Sequence, residues 1–294
     1  MSHIGVGENP PETLVESVVD SAGEVRELAT DGWPRGYIYG ATRYADVILR
    51  KAFPARSDDL IVALNQFAPT LDELRSGGGG RTVFVKRFDD SLAAMKDQEQ
   101  TVWGKQNISI SKELALDGTT LKKVRTRGHE IDMFGKGSVD NPLPGIAVEM
   151  EWNNKDPFFD RDLLSFQALH KEGVIAIGVI ITRGPELQAL IGNTIQSRDR
   201  GCKYGQSSTH WDKLLPRVNL GGGGECPLLL VGIEPERVDG IELAQRVKGK
   251  LMQAEQLKLD WRRLRPGKKW NDVKTEYQEM QKQAHDLMPP VKEE

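Results

Sequence analysis

Residues Gly145–Trp152 read GIAVEMEW, and the alternation within them decides the fold class. Side chains along a β-strand point to opposite faces with a period of two. Ala147, Glu149 and Glu151 therefore share one face, while Val148, Met150 and Trp152 share an apolar face opposite. Two glutamates on one face stand about 7 Å apart at ~3.3 Å per residue. Neighbouring carboxylates repel and raise each other's pKa unless positive charge lies beside them.

Working outward, Lys122–Phe134 contains a strand that reaches Ile131-Asp132, and the turn-rich GKGSVDNPLPG after it returns the chain as a hairpin. Downstream, Asp156-Pro157 signals the start of a helix over Phe158–His170. Val174–Thr182 (VIAIGVIIT) and Pro227–Ile233 (PLLLVGI) are almost wholly apolar, as strands covered on both faces are. Helices are expected at Pro185–Ile195, Gly240–Leu259 and Tyr277–Leu287. Strand–helix–strand with apolar strands predicts an α/β fold with a mixed central sheet flanked by helices.

The first third reads differently. Leu14–Thr30, Tyr37–Phe53, Leu60–Leu74 and Asp89–Lys96 have helical spacing, and Arg81–Arg87 (RTVFVKR) reads as a short strand. The organisation expected is a mainly helical segment over 1–105, an α/β core over 106–240 and a helical, basic segment over 241–294, all possible within one compact domain. From Arg246 to Lys269, nine Lys and Arg face only Glu255 and Asp260, so the last segment is a candidate phosphate footprint. The net charge of −3 neither requires nor excludes a nucleic acid.

Other classes find little support. Cys202 and Cys226, even with His210 between them, match no closed four-ligand zinc spacing and form no disulfide framework. The glycine runs Gly77–Gly80 and Gly221–Gly224 do not end in Gly-Lys-Ser/Thr, so no nucleotide cofactor is expected. Nothing approaches eighteen uninterrupted apolar residues, and the expectation is a cytoplasmic protein with no membrane contact.

An acid on one strand and two on its neighbour is a hard-cation site in outline. Mg²⁺ takes oxygen ligands, one or two of them carboxylates, and leaves positions for water and phosphate. The chemistry served is phosphodiester hydrolysis, with Asp132, Glu149 and Glu151 as the acids.

The order Ile131-Asp132, then Glu149-Met150-Glu151, resembles the active-site signature of the PD-(D/E)XK nucleases. Glu-x-Glu in place of Glu-x-Lys is similar to the BamHI/BglII/BstYI group of type II restriction endonucleases. EWNNKDPFFDRDLLSFQALHKEGVIAIGVIITR, HWDKLLPRVN and PLLLVGI keep that group's order of elements, and the resemblance spans roughly Glu130–Glu234. It implies a restriction-endonuclease-like core and Mg²⁺-dependent cutting of double-stranded DNA at a palindromic site by a homodimer.

Residue by residue, it implies that Asp132, Glu149 and the main-chain carbonyl of Met150 ligate the metal. Glu151 acts as base or positions the water, and an upstream helix adds an acid, for which Glu113 is the nearest candidate, with Asp117 behind it. It places Asn153, Asn154, Lys155 and Arg161, after the catalytic strand, and Asp199 and Arg200, in SRDRG, against DNA. Lys203, Arg262, Arg263, Arg265, Lys268 and Lys269 are candidate phosphate contacts. The apolar stripe Phe159, Leu163, Phe166 and Leu169 suits either a dimer bundle or the core. Three other readings stand beside this one: a repair or structure-specific nuclease of the same fold, a glycosidase with paired carboxylates, and a DNA-binding protein without catalysis.

Overall fold

The computed structural model describes residues 23–76, 81–125, 128–192, 194–195, 203–264 and 269–288. In chain order the elements are β1 (Arg26–Glu27), β2 (Tyr37–Ala41), α1 (Ala45–Ala52), α2 (Pro54–Gln66), α3 (Leu71–Arg75) and α4 (Val83–Ala93). The short pair β3 (Lys96–Asp97) and β4 (Gln100–Thr101) precedes β5 (Trp103–Ile108), β6 (Ser111–Leu116), β7 (Thr119–Arg125), β8 (His129–Gly135) and β9 (Gly145–Glu151). Then come α5 (Phe158–Lys171), β10 (Ile175–Arg183), α6 (Pro185–Ile191), α7 (Trp211–Asn219), β11 (Leu228–Ile233), α8 (Ile241–Leu264) and α9 (Trp270–Asp286).

Seven strands form one mixed sheet in the order β1-β2-β11-β10-β9-β8-β5. The apolar strands β9, β10 and β11 lie parallel at its centre, and β8 and β2 flank them antiparallel. The alternation in GIAVEME is realised as expected. Ile146, Val148, Met150 and Trp152 join a core built with Leu49 of α1, Leu60 and Leu64 of α2, and Phe84 and Phe88 of α4. Ala147 belongs to the opposite core, with Phe159, Leu163, Phe166 and Leu169 of α5 and Leu214 and Val218 of α7. The sheet is thus covered on both faces, which is why its central strands tolerate unbroken apolar runs.

The N-terminal readings need correction. Tyr37–Phe53 is not one helix: Tyr37–Ala41 is a strand, and α1 begins only after Arg43 and Tyr44 turn the chain at positive φ. Tyr37, Tyr39 and Ala41 face the core at alternate positions, and antiparallel pairing with β11 outweighs the helix-like spacing. The window 81–87 is not a strand, because α4 starts at Val83. Phe84, Val85, Phe88 and Leu92 are buried at helical spacing, so a β-rich composition was overridden by periodicity. Of the helix expected at Leu14–Thr30, residues 14–22 lie outside the described residues, and Arg26–Glu27 pairs as a strand with β2. Phe67–Thr70 separates α2 from α3.

Two appendages leave the sheet. The β6–β7 hairpin is exposed along both strands. Helices α8 and α9 pack on each other, stiffened by Trp261, Trp270 and Tyr277.

Helix α5 is seated on the sheet through Gly178 of β10. A Cβ there would stand 2.3 Å from Cδ2 of Phe166, whose ring is fully buried. Backbone strain is not the issue; space is. Gly178→Ala should destabilise the protein by about 1–3 kcal/mol, because the ring has nowhere to go without lifting α5. Urea denaturation measures it, and an unchanged midpoint would show that α5 is not held this closely.

Candidate active site

Four acids, Glu130, Asp132, Glu149 and Glu151, and two arginines, Arg81 and Arg161, line a cleft of about 680 Å³ at the C-terminal end of β9. The register explains how. β8 and β9 pair through Met133↔Val148 and no further, so the strands part just before the acids. In place of the next ladder bond, Glu149 Oε1 accepts the Asp132 backbone N–H at 3.1 Å. On its other edge β9 stays paired with β10, Glu149 opposite Ile180 and Glu151 opposite Thr182. The Thr182 hydroxyl donates to the Glu151 carbonyl at 2.8 Å. One edge is locked and the other is open to a ligand.

Glu149 and Glu151 are both 2% exposed. Burial pushes the Glu149 carboxyl well above the usual carboxylate range, and the nearby carboxyls of Asp132 and Asp162 push it further. Among the described residues Glu149 forms no ion pair. Burial also raises Glu151, and Asp162, whose carboxyl faces it, adds to the rise. Asp162 is itself raised by burial. Asp89, on α4, is pushed up to about 7 by burial, against the pull of Arg81.

Two guanidiniums divide the acids between them. Arg81 reaches Asp132 Oδ1 at 3.0 Å with one terminal nitrogen and Asp89 with the other. Arg161 reaches Asp162 Oδ1 at 2.7 Å and Glu151 Oε1 at 3.3 Å, and lies 4.7 Å over the Phe158 ring. The remaining Glu151 oxygen accepts from the Asn154 amide at 2.5 Å.

Asp132, Glu149 and Glu151, expected together, do line one cleft, and Met150 lies on its wall. Glu113 is a correction. It sits not on a helix but in β6, on the exposed hairpin, where it pairs with Lys123 at 3.7 Å and accepts from Thr120; it does not line the cleft. Asp117 is at the hairpin's tip. The acid that an upstream helix sends toward Asp132 is Asp89, which was expected at the start of a helix but not in the site. The stripe Phe84, Val85, Phe88 and Leu92 could have revealed the full extent of α4. Asp162 was missed because an acid in the first turns of a helix ordinarily reads as a solvated residue.

The residues expected to read DNA are partly diverted. Asn154 and Arg161 serve Glu151. Asn153 donates to the Lys203 carbonyl at 3.4 Å, and Lys155 bridges to Ser208. Ser207 and Thr209 bond the backbone of Asp156 and Asn154, so this loop is zipped to residues 203–209. Arg183 pins the latter from behind, donating to Thr209 O and Ser208 Oγ while buried against Trp152 and Tyr204. Lys203, expected on phosphate, instead donates to the Leu74 and Ser76 carbonyls. Asp199 and Arg200 lie outside the described residues, as do Cys202, Arg265 and Lys268; Arg262, Arg263 and Lys269 are exposed. The apolar stripe of α5 goes into the core, not outward.

A family model described as restriction endonuclease BglII/BglIII matches residues 37–233. The chain belongs to this family. No curated protein matches the sequence. The match begins at the first residue of β2 and ends at the last residue of β11, far beyond the 130–234 stretch of the sequence resemblance. This BglII-family chain is therefore a type II restriction endonuclease, a site-specific nuclease acting on double-stranded DNA, with the restriction-endonuclease-like mixed sheet. The glycosidase reading falls with that match. No described helix is long and apolar enough to cross a membrane.

The family uses a divalent metal. The donor set fits in kind, since the cleft offers carboxylate oxygens, one of them buried without an ion-pair partner. Among the described residues, though, no three His, Cys, Asp or Glu are drawn close enough to hold an ion.

The raised acids fix a pH dependence. The folded chain retains protons on Glu149, Glu151, Asp162 and Asp89 that the unfolded chain has released, so stability falls as pH climbs from the ordinary carboxylate range toward 8. In EDTA, Tm should be lower at about pH 8 than at about pH 6, and Glu149→Gln should flatten the decline. A Tm that rises across this window in the wild type would contradict the crowding of acids.

Proposed function

We propose that this restriction endonuclease cuts a palindromic DNA sequence with Mg²⁺, as a homodimer in the cytoplasm, and that Asp132 and Glu149 hold the cation. The observation that carries the reading is the Glu149 carboxyl, buried, without an ion pair among the described residues, and bonded to the Asp132 backbone beside a second carboxyl. Such a group is stable either protonated or against a cation. Asp132, Glu149 and the Met150 carbonyl would be the ligands, with Asp89 the acid contributed by the upstream helix. When bound, Mg²⁺ supplies charge stabilisation at the phosphoryl and leaving oxygens and acidifies a water.

The remaining work falls to this chain's own side chains. Glu151, in its ionised form, accepts the proton of the attacking water as the new P–O bond forms and the bond to the leaving oxygen breaks; that oxygen takes its proton from solvent. Arg161 and Asn154 hold the two Glu151 oxygens in place and favour the ionised form against the pressure from Asp162. Lys155 and Asn153 are proposed at the DNA surface, with Asp199 and Arg200 reading bases.

Phage DNA incubated with the protein should yield discrete fragments with Mg²⁺ and none in EDTA. Asp132→Asn and Glu149→Gln should each lower cutting by more than about a hundredfold while leaving the far-ultraviolet circular dichroism spectrum intact. Wild-type rates from either variant would overturn the site.

A further inference from the structure

We propose that Arg81 is an internal counter-ion that competes with the divalent cation for Asp132 and passes to a DNA phosphate when substrate enters the cleft. The proposal rests on the reading of Asp132 and Glu149 as the cation's ligands and asks what occupies that position beforehand.

The geometry is specific. Arg81 precedes α4, and its guanidinium forks between two acids on separate elements, Asp89 of α4 and Asp132 of β8. Its side chain is about one-third exposed and lines the cleft, so a ligand can reach it. Asp132 therefore meets a cation already in place, while Glu149 beside it has no ion pair among the described residues. This accounts for a cleft lined by four acids in which, among the described residues, no three groups are ready to hold a metal.

A guanidinium is suited to the transfer. Its planar fork binds a carboxylate or a phosphate through two parallel N–H bonds, and the same donors that leave Asp132 fit a phosphodiester's free oxygens. With Arg81 on the phosphate, Asp132 and Asp89 are freed at the moment when a phosphate oxygen arrives to complete the cation's surroundings. Cation binding and DNA binding then strengthen each other, since each removes what opposes the other.

A simple clasp between α4 and β8 would use the same contacts but behave differently when broken. In full-length protein without DNA, binding of Mn²⁺ alone is measured by electron paramagnetic resonance of the free ion. Arg81→Gln should bind Mn²⁺ at least about fivefold more tightly than wild type, the size expected on removing a partly exposed ion pair. Arg81→Lys, which keeps the charge without the fork, should lie between, and serves if the glutamine variant melts early. The gain should vanish in the Arg81→Gln, Asp132→Asn double variant. On phage DNA with Mg²⁺, the glutamine variant should cut more slowly than wild type, despite its tighter hold on the ion. Unchanged or weaker Mn²⁺ binding by both single variants, in a wild type that cuts DNA with Mg²⁺, overturns the counter-ion role and leaves the proposed function standing. A wild type that fails to cut with Mg²⁺ overturns the function and this inference with it.

Discussion

The constraint on which the rest of the structure turns is the burial of two glutamates on the inner side of a central strand. Placing Glu149 and Glu151 at 2% exposure, with Asp132 and Asp162 against them, costs solvation that no packing of apolar atoms restores. The molecule answers in three ways: a Glu149 carboxyl pushed toward its protonated form, an arginine on each flank, and hydrogen bonds from Asn154 and the Asp132 backbone. Each of these can be replaced, which distinguishes a working site from a structural salt bridge.

Rigidity elsewhere makes that arrangement possible. β10, backed in turn by β11, locks the far edge of β9, and Gly178 lets α5 approach closely enough to deliver Asp162 and Arg161 to Glu151. The near edge is left unpaired past Val148. A strand bonded along both edges would have no room for a ligand at its carboxylates; one bonded on neither would not hold them. The asymmetry of the ladder is thus a functional feature written in the register.

What could be read in the sequence follows the reach of each signal. The period-two alternation of GIAVEMEW is local and strong, so the strand, its two faces and the pairing of Glu149 with Glu151 were legible. Asp132 was legible because one hairpin joins it to them. The role of Asp89 was not: a helix was expected from it onward, but that helix is separated from Asp132 by β5 and the β6–β7 hairpin, and no local signal joins the two. Tyr37–Ala41 failed for a related reason: its strand state is imposed by β11, some two hundred residues away in sequence, and local spacing carries no trace of that partner.

The diversion of Arg161 and Asn154 shows why residue type alone misassigns roles beside a catalytic strand. Both carry groups suited to base edges. A buried carboxylate a few ångströms away is a nearer and permanent partner for such donors than a base that arrives only with substrate. With Asp162 pressing on Glu151 from α5, the guanidinium is held between the two acids and the amide on Glu151. Residues 203–209 are zipped against Asn153–Asp156, and the buried Arg183 guanidinium sets that segment's position from behind. Two arginines thus hold this end of the sheet, Arg161 bound to Glu151 and Arg183 bound to the 203–209 segment.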